Sequence, residues 1–263
     1  MNVRGGLGLI RHTWLSWMQH RSFFFLLAFG WMIPPLIYLF VWSTAARDGT
    51  LAGLTGGEFI AYYLVLILVN QLTYAQTNWT VGDLIRDGSM SRLLLYPLSP
   101  VFNTLATEIA GKVVVMVFVV PVTFVLALIL QPQMEVTLLQ VAAFVPSLLM
   151  AWLLRFFWGY WMALLAFWIT RADSLLALQD ALIFLLAGHV APTLLLPGVI
   201  QTAAIALPFR YMVGFPVEVL AGHVAGNELV LGFLLQIFWL LAAYSIFLVL
   251  WHQGVRRFTA VGG

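Results

Sequence analysis

The chain has 263 residues, of which 63% are apolar and 8% are charged. Ordinary soluble domains hold roughly 45–50% apolar and about 25% charged residues, so a soluble fold of this length has no room to hide so much apolar surface. The mean hydropathy of +1.00 indicates that hydrocarbon is the natural solvent. The absence of cysteine excludes disulfides, thiolate metal ligands and cysteine nucleophiles. With a net charge of only +2, the composition gives no reason to expect nucleic acid as a partner.

The first predicted element is an amphipathic helix over residues 4–21 that lies in the membrane interface. Its apolar side includes Trp14 and Trp17, and its opposite side includes Arg4 and Arg11. Tryptophans on one face and basic residues on the other are typical of helices that lie in the interface. A plain membrane anchor and a surface that contacts a partner both agree with this pattern.

Six apolar stretches predict six transmembrane helices, so the predicted fold class is an all-α membrane protein. About 20 apolar residues suffice to cross a hydrocarbon core roughly 30 Å thick. The predicted spans are residues 22–42, 59–81, 113–130 with an inward extension over 104–112, 138–170, 181–200 and 229–251. The whole chain, 1–263, is expected to form one transmembrane domain.

The distribution of Lys and Arg predicts the orientation, because these residues are enriched in cytoplasmic loops. With six spans, most basic residues fall on one side, and only Arg47 and Arg210 fall on the other. Splitting the stretch 138–170 into two helices would send Arg256 and Arg257 outward and remove this bias. We therefore expect a single crossing there, and both termini in the cytoplasm.

Two connections are not plain polar linkers. Residues 82–100, on the cytoplasmic side, are expected to form a short charged helix that stops at Gly88, a turn, and an apolar return to the bilayer, where a cytosolic protein can dock. Residues 201–227, on the outer side, mix proline and glycine with apolar side chains, which favours short re-entrant helices in the outer leaflet. A loop that merely lies on the membrane is the alternative. The candidate residues of this outer re-entrant element are Pro208, Arg210, Tyr211, Pro216 and Glu218.

Polar side chains inside the predicted spans are candidates for the transport pathway or for a helix interface. Arg155 is the most costly of them, since an arginine at the centre of a span costs about 2.5–3.5 kcal/mol on insertion scales. It either marks a partner or a pathway, or reaches an interface by snorkelling. Asn70, Thr73, Tyr74 and Thr77 follow one another at helical spacing in the second span, where such residues hold helices together or line a path.

Several segments together resemble the permease subunits of ABC type-two exporters. The likeness lies in residues 85–89, 93–100, 207–211, 215–218 and 251–258. The resemblance implies that two permeases, identical or similar, pair in a bacterial plasma (inner) membrane and export a hydrophobic or amphipathic substrate. It also implies that the loop after the second span is a coupling helix that contacts a nucleotide-binding ATPase subunit. The expected contacts are Asp83, Leu84, Arg86, Asp87, Gly88 and Arg92.

The ATPase is expected to be a separate chain. A phosphate-binding loop needs Gly, four residues, Gly, Lys and Ser or Thr. The one Gly-Lys pair, Gly111-Lys112, is followed by Val113 and has Ala106 where the first glycine belongs. We therefore expect no enzyme activity and no bound cofactor or metal in this chain, with ATP and Mg on the partner. The alternatives are a secondary transporter and a non-transporting membrane assembly subunit.

Overall fold

The structure is a computed structural model that describes residues 8, 11–12, 14–16, 18–19, 21–76, 78–97, 99–169 and 173–258. Most of the predicted interfacial helix over residues 4–21 lies outside the described residues, as does Thr77.

The described part of the chain is all-helical and contains no strand, as its fold class predicts. The helices are α1 (Arg21–Ala45), α2 (Gly56–Thr73), α3 (Asn78–Arg86), α4 (Met90–Leu94), α5 (Pro100–Leu130), α6 (Leu138–Leu164), α7 (Asp173–Leu186), α8 (Gly198–Ala206), α9 (Phe209–Met212), α10 (Gly214–Leu220) and α11 (Gly226–Arg257). There are also two short 3-10 helices: Leu165–Phe167 directly follows α6, and Thr193–Leu195 lies between α7 and α8.

Four helical stretches in the described ranges are long and apolar enough to cross a bilayer. They are Gly56–Arg86, which comprises the separate helices α2 and α3, then Pro100–Leu130, Leu138–Phe167 and Gly226–Arg257, and Phe29–Ala45 is a shorter apolar helix. The predicted total of six spans therefore stays a prediction. The stretch 138–170, for which we expected a single crossing, begins with the continuous helix α6.

Local sequence explains where two of the long helices begin. Thr55 precedes α2 and forms a capping box with Glu58, whose carboxylate accepts the Thr55 backbone N–H at 2.7 Å. Thr137 precedes α6 and forms the same arrangement with Gln140, at 2.6 Å. Each box satisfies backbone donors that the first turn of a helix leaves unpaired. The chain thus leaves a polar connection and enters an apolar helix at a defined residue.

The stretch Gly56–Arg86 is the centre of the bundle. Within its most apolar window, 72% of the residues are buried, against 17% for α5 and for α11. The helices α5 and α11 therefore expose apolar faces, which suits contact with lipid or with another membrane chain. The helix α6 packs against α11, α2 and α10, and so connects the centre to the outer short helices.

The position predicted for the fifth span, residues 181–200, is wrong. The helix in this region begins at Asp173 and ends at Leu186, which makes it 14 residues long. It stops because Gly188 takes a φ of +83°, a conformation that ends helices, and Pro192 and Pro197 prevent its continuation. At 1.5 Å per residue α7 is about 21 Å long, less than the hydrocarbon core.

The two unusual connections contain short helices, as their sequences predict. Gly88 lies between α3 and α4 with a φ of +78°, so the helix stop predicted there is confirmed. The outer segment, residues 201–227, contains the end of α8 and then α9 and α10. The helices α9 and α10 pack against each other and against α6. Their depth in a membrane stays a prediction.

Candidate functional site

Arg155, on α6, lies inside the bundle with 3% of its surface exposed. Its Nη1 donates to Asn70 Oδ1 at 2.8 Å and to Thr73 Oγ1 at 3.3 Å, both on α2. These two residues are one turn apart, so they present their oxygens on the same face of the helix. The guanidinium is held between helices, and this burial argues against the snorkelling alternative.

The same guanidinium also lies near an aromatic ring and a carboxylate. Arg155 Cζ lies 4.9 Å from the centre of the Tyr74 ring, within the range of a cation–π contact. Arg155 Nη2 lies 3.9 Å from Asp180 Oδ1 on α7. Arg155 therefore links α2, α6 and α7 at one point.

A second ion pair lies beside this one. Glu108 and Lys112 are four residues apart on α5, and Lys112 Nζ lies 2.7 Å from Glu108 Oε2. The same ammonium donates at 2.6 Å to the carbonyl oxygen of Tyr74, at the C-terminal end of α2. A carbonyl at a helix end lacks its helical partner and carries partial negative charge, so a cation stabilises it. Lys112 thus caps the end of α2.

We call these residues the central polar cluster: Asn70, Thr73, Tyr74, Glu108, Lys112, Arg155 and Asp180. Its two cations and two carboxylates balance in formal charge. Four of the five residues predicted for the pathway or interface belong to it, and the fifth, Thr77, lies outside the described residues. Sequence reasoning missed Glu108 and Lys112, although a Glu and a Lys four apart within an apolar helix is itself a signal of a buried pair.

The residues predicted to contact an ATPase lie on the hairpin formed by α3 and α4. Arg86 is bonded on both sides, to Asp83 on its own helix and to Asp173 at the start of α7, at 3.0 Å. Asp87 accepts the Ser89 backbone N–H at 2.8 Å, which lowers the pKa of the Asp87 carboxyl. Leu84 and Gly88 are half-buried.

The hairpin also carries an exposed surface. Asp83, Asp87 and Arg92 are exposed on it, and Leu95 and Tyr96, which follow α4, are 88% and 58% exposed. Acidic, basic and apolar groups therefore stand together at this end of the bundle, where a partner can bind them. We call residues 78–97 the hairpin surface.

The outer short helices enclose a further buried ion pair. Arg210 on α9 donates through Nε to Glu218 Oε2 on α10 at 2.9 Å, and both residues are buried. Tyr211 Oη donates to the Ile205 carbonyl at 2.8 Å. Pro208 and Pro216 lie at the starts of the two helices, where a missing N–H costs least.

A buried amide fixes the outer helices to the bundle. Gln236 of α11 is fully buried, and its Nε2 donates at 3.0 Å to the carbonyl oxygens of Ser147 and Tyr211. Within the described ranges, no group of three or more His, Asp or Glu side chains is arranged to hold a metal ion.

Charged side chains buried within an apolar helical bundle commonly mark a transport pathway in a membrane protein. The model of the ABC-2 family transporter proteins matches residues 32–262. The chain belongs to the ABC-2 transporter family. Searches of curated proteins and of solved structures found no match.

Membership of this family makes the chain the membrane component of an ABC transporter, which is a transport component and not itself the catalytic one. The family also implies an ATPase subunit as a partner. The sequence-based expectation of an ABC type-two permease is therefore confirmed.

Proposed function

We propose that this chain is the permease subunit of an exporter in the bacterial plasma membrane, and that a separate ATPase binds the hairpin surface. The observation that carries the proposal is the construction of the hairpin. Its exposed side offers Asp83, Asp87 and Arg92, and its other side is buried in the bundle through Val81, Ile85 and Met90.

The buried side explains how a force on the hairpin reaches the membrane domain. Val81, Ile85 and Met90 belong to one apolar cluster with Phe156 of α6 and Leu176 of α7. Arg86 adds a polar connection to the start of α7 through Asp173. Interiors packed in this way transmit displacement, so an ATPase that moves the hairpin also moves α6 and α7.

A groove between α2 and α5 supports a hydrophobic or amphipathic substrate. It has a volume of about 510 Å³ and is lined mainly by apolar side chains, such as Leu72, Met116 and Val120, with Lys112 at one end. An apolar wall of this kind suits the apolar body of such a molecule. In this proposal α1, α2 and α7 lie near the route.

A second permease, identical or similar, completes the proposed transporter. Ile33, Ile37 and Phe40 follow helical spacing on α1 and are 55%, 55% and 54% exposed. This apolar face is available to a second copy within the bilayer. Both termini are proposed to lie in the cytoplasm, on the same side as the hairpin surface.

Sidedness is the first test. Because the chain has no cysteine, a single Ser91→Cys variant gives a label without background. We expect a membrane-impermeant maleimide to label this variant in inverted vesicles and not in intact cells, while the control Asp48→Cys shows the reverse. Labelling of Ser91→Cys from the outside would refute the proposal.

The second test measures the ATPase contact. We expect a P-loop ATPase to be encoded beside this chain in its genome, to co-purify with it and to hydrolyse ATP faster in the complex. The charge reversal Arg92→Glu should weaken the complex at least about tenfold, since like charges that face each other in an interface cost about 1.4 kcal/mol or more. The exposed control Arg47→Glu lies outside the hairpin and should have no effect. Equal binding by both variants would contradict a contact at this surface.

A further inference from the structure

A second cavity lies among the outer short helices, away from the central polar cluster. It has a volume of about 320 Å³, within the range of small-molecule sites, and is bounded by residues of α8 to α11 and of the 3-10 turn before them. Ile205, Leu231 and Leu235 form its apolar wall. Its polar residues are Thr193, Gln201, Arg210, Tyr211, Glu218, His223 and Glu228.

The polar side of this cavity offers unpaired acceptors. Glu218 is 3% exposed and gives Oε2 to Arg210, while its Oε1 has no hydrogen-bond partner among the residues that the structure describes. Thr193 is 4% exposed, and its Oγ1 is also without a partner in that part of the chain. His223 Nδ1, at the same cavity, is also without a partner within the described residues, and a neutral imidazole nitrogen accepts a hydrogen bond in one of its two tautomers. Buried polar atoms normally have partners, so these three atoms at one cavity point to a ligand that donates hydrogen bonds.

The charge of the cavity has a definite sign. Arg210 and Glu218 neutralise each other, and Glu228 adds a further carboxylate at the rim, where it is exposed. Burial lowers the pKa of His223, so its ring is neutral at pH 7 and does not offset Glu228. Gln201 already uses Nε2 to donate to the Thr193 carbonyl at 3.2 Å. The net charge of the lining is therefore negative.

We propose that this cavity binds the ammonium group of an amphipathic amine, with Glu218, Glu228 and Thr193 as the acceptors. An ammonium carries three donors and a positive charge, which match the unpaired oxygens and the net charge. The apolar wall takes the hydrocarbon part of the ligand. The amine is either a free alkylamine or the headgroup of an aminolipid, since the two share this chemistry.

The site is independent of the ATPase, so it is tested on the purified permease alone. The protein is held in a maltoside detergent, which carries no charge, and binding of dodecylamine and of lysophosphatidylethanolamine is measured by native mass spectrometry. Dodecanol and lysophosphatidylcholine are the matched controls, because the first lacks the charge and the second lacks the N–H donors. We expect one saturable site for at least one of the two amines and none for the controls.

Three variants test the assignment of residues. Glu228→Gln changes an exposed residue, so the fold is not at risk, and it should weaken amine binding about tenfold, the usual effect of losing one charge-assisted hydrogen bond. Thr193→Val keeps the shape of the side chain, removes the hydroxyl, and should weaken binding about threefold to tenfold. Glu135→Gln, an exposed outer carboxylate that does not line this cavity, should leave binding unchanged.

Binding of dodecylamine alone would identify a free amine as the ligand, and binding of lysophosphatidylethanolamine would identify a lipid headgroup. Either result supports the site if the variants behave as stated. Equal binding of dodecanol, or unchanged binding in both Glu228→Gln and Thr193→Val, would overturn it. Neither outcome bears on the ATPase contact, so failure of this site and failure of the proposed function are distinguishable.

Discussion

Replacing Arg155 with Met should lower the free energy of unfolding by about 3 kcal/mol. The variant loses the hydrogen bonds to Asn70 and Thr73, at 2.8 and 3.3 Å, each worth about 0.6–1.7 kcal/mol between membrane helices. It also loses the contact with the Tyr74 ring, at 4.9 Å, worth about 0.5–2 kcal/mol. The contact with Asp180, at 3.9 Å, adds little, because it is long and partly exposed.

The assay is unfolding of the purified protein by dodecyl sulfate in mixed micelles, followed by the fluorescence of its 11 tryptophans. Arg155→Lys keeps the charge without the planar fork and should lie between wild type and Arg155→Met. The matched control Arg47→Met changes an exposed arginine and should stay within about 0.5 kcal/mol of wild type.

A double-mutant cycle shows whether the loss belongs to these contacts. Asn70→Leu should destabilise the wild-type protein but cost measurably less in the Arg155→Met background, because its partner is already gone. The reasoning is refuted if Arg155→Met unfolds like Arg47→Met, or if the two substitutions are simply additive.

Three further predictions use the same unfolding titration. Gly159→Ala should cost about 1–3 kcal/mol, since a Cβ there would lie 2.4 Å from Nδ2 of Asn78, the first residue of α3. The control Gly30→Ala, with no atom within 4 Å of the added Cβ, should be neutral or should stabilise by up to about 1 kcal/mol. Equal effects of the two changes would contradict the packing. Gln236→Leu should cost about 1–3 kcal/mol because it removes both donors that hold carbonyls of α6 and α9, and a gain in stability would argue against these bonds. Lys112→Met should cost about 3–5 kcal/mol because it leaves the buried carboxylate of Glu108 without this cation, and the added change Glu108→Gln should recover part of the loss; no recovery would contradict the pairing.

Much of the fold follows from local sequence signals. Apolar runs between charges locate α2, α5, α6 and α11, because charged residues are costly in hydrocarbon and therefore usually mark the ends of a span. Gly88 is predicted as a helix stop because glycine has no Cβ and therefore readily takes the positive φ that ends a helix. These features depend on residues close together in the chain, so one sequence contains them.

The end of α7 is marked by Gly188, Pro192 and Pro197, but a prediction from apolar length and charge does not use these residues. The run 181–200 has no charge, and nothing in its hydropathy separates the helical residues before Leu186 from the non-helical ones after it. The non-helical course is stabilised by side chains from far along the chain. Trp42 Nε1 and Tyr63 Oη both donate to the Val190 carbonyl, at 2.7 and 3.1 Å.

The candidate site shows the same division. Helical spacing of Asn70, Thr73 and Tyr74 predicts a polar face on α2, and the cost of burying Arg155 predicts a partner for it. The identity of that partner depends on how α2 and α6 are rotated against each other, which is set by packing over the whole bundle. Lys112 was counted among the cytoplasmic charges, and its contact with the Tyr74 carbonyl has no local signal.

The non-helical segment after α7 restricts how this protein can change shape. The carbonyls of Gly188 and Val190 accept hydrogen bonds only from aromatic side chains of α1 and α2 in the described part of the chain, including Tyr62 Oη at 3.2 Å from Gly188. Separation of these parts would leave these carbonyls without their partners, and an unpaired buried carbonyl costs about 1–3 kcal/mol. We therefore expect α1, α2 and the exit of α7 to move together in any change of access, with the sliding surfaces elsewhere in the bundle.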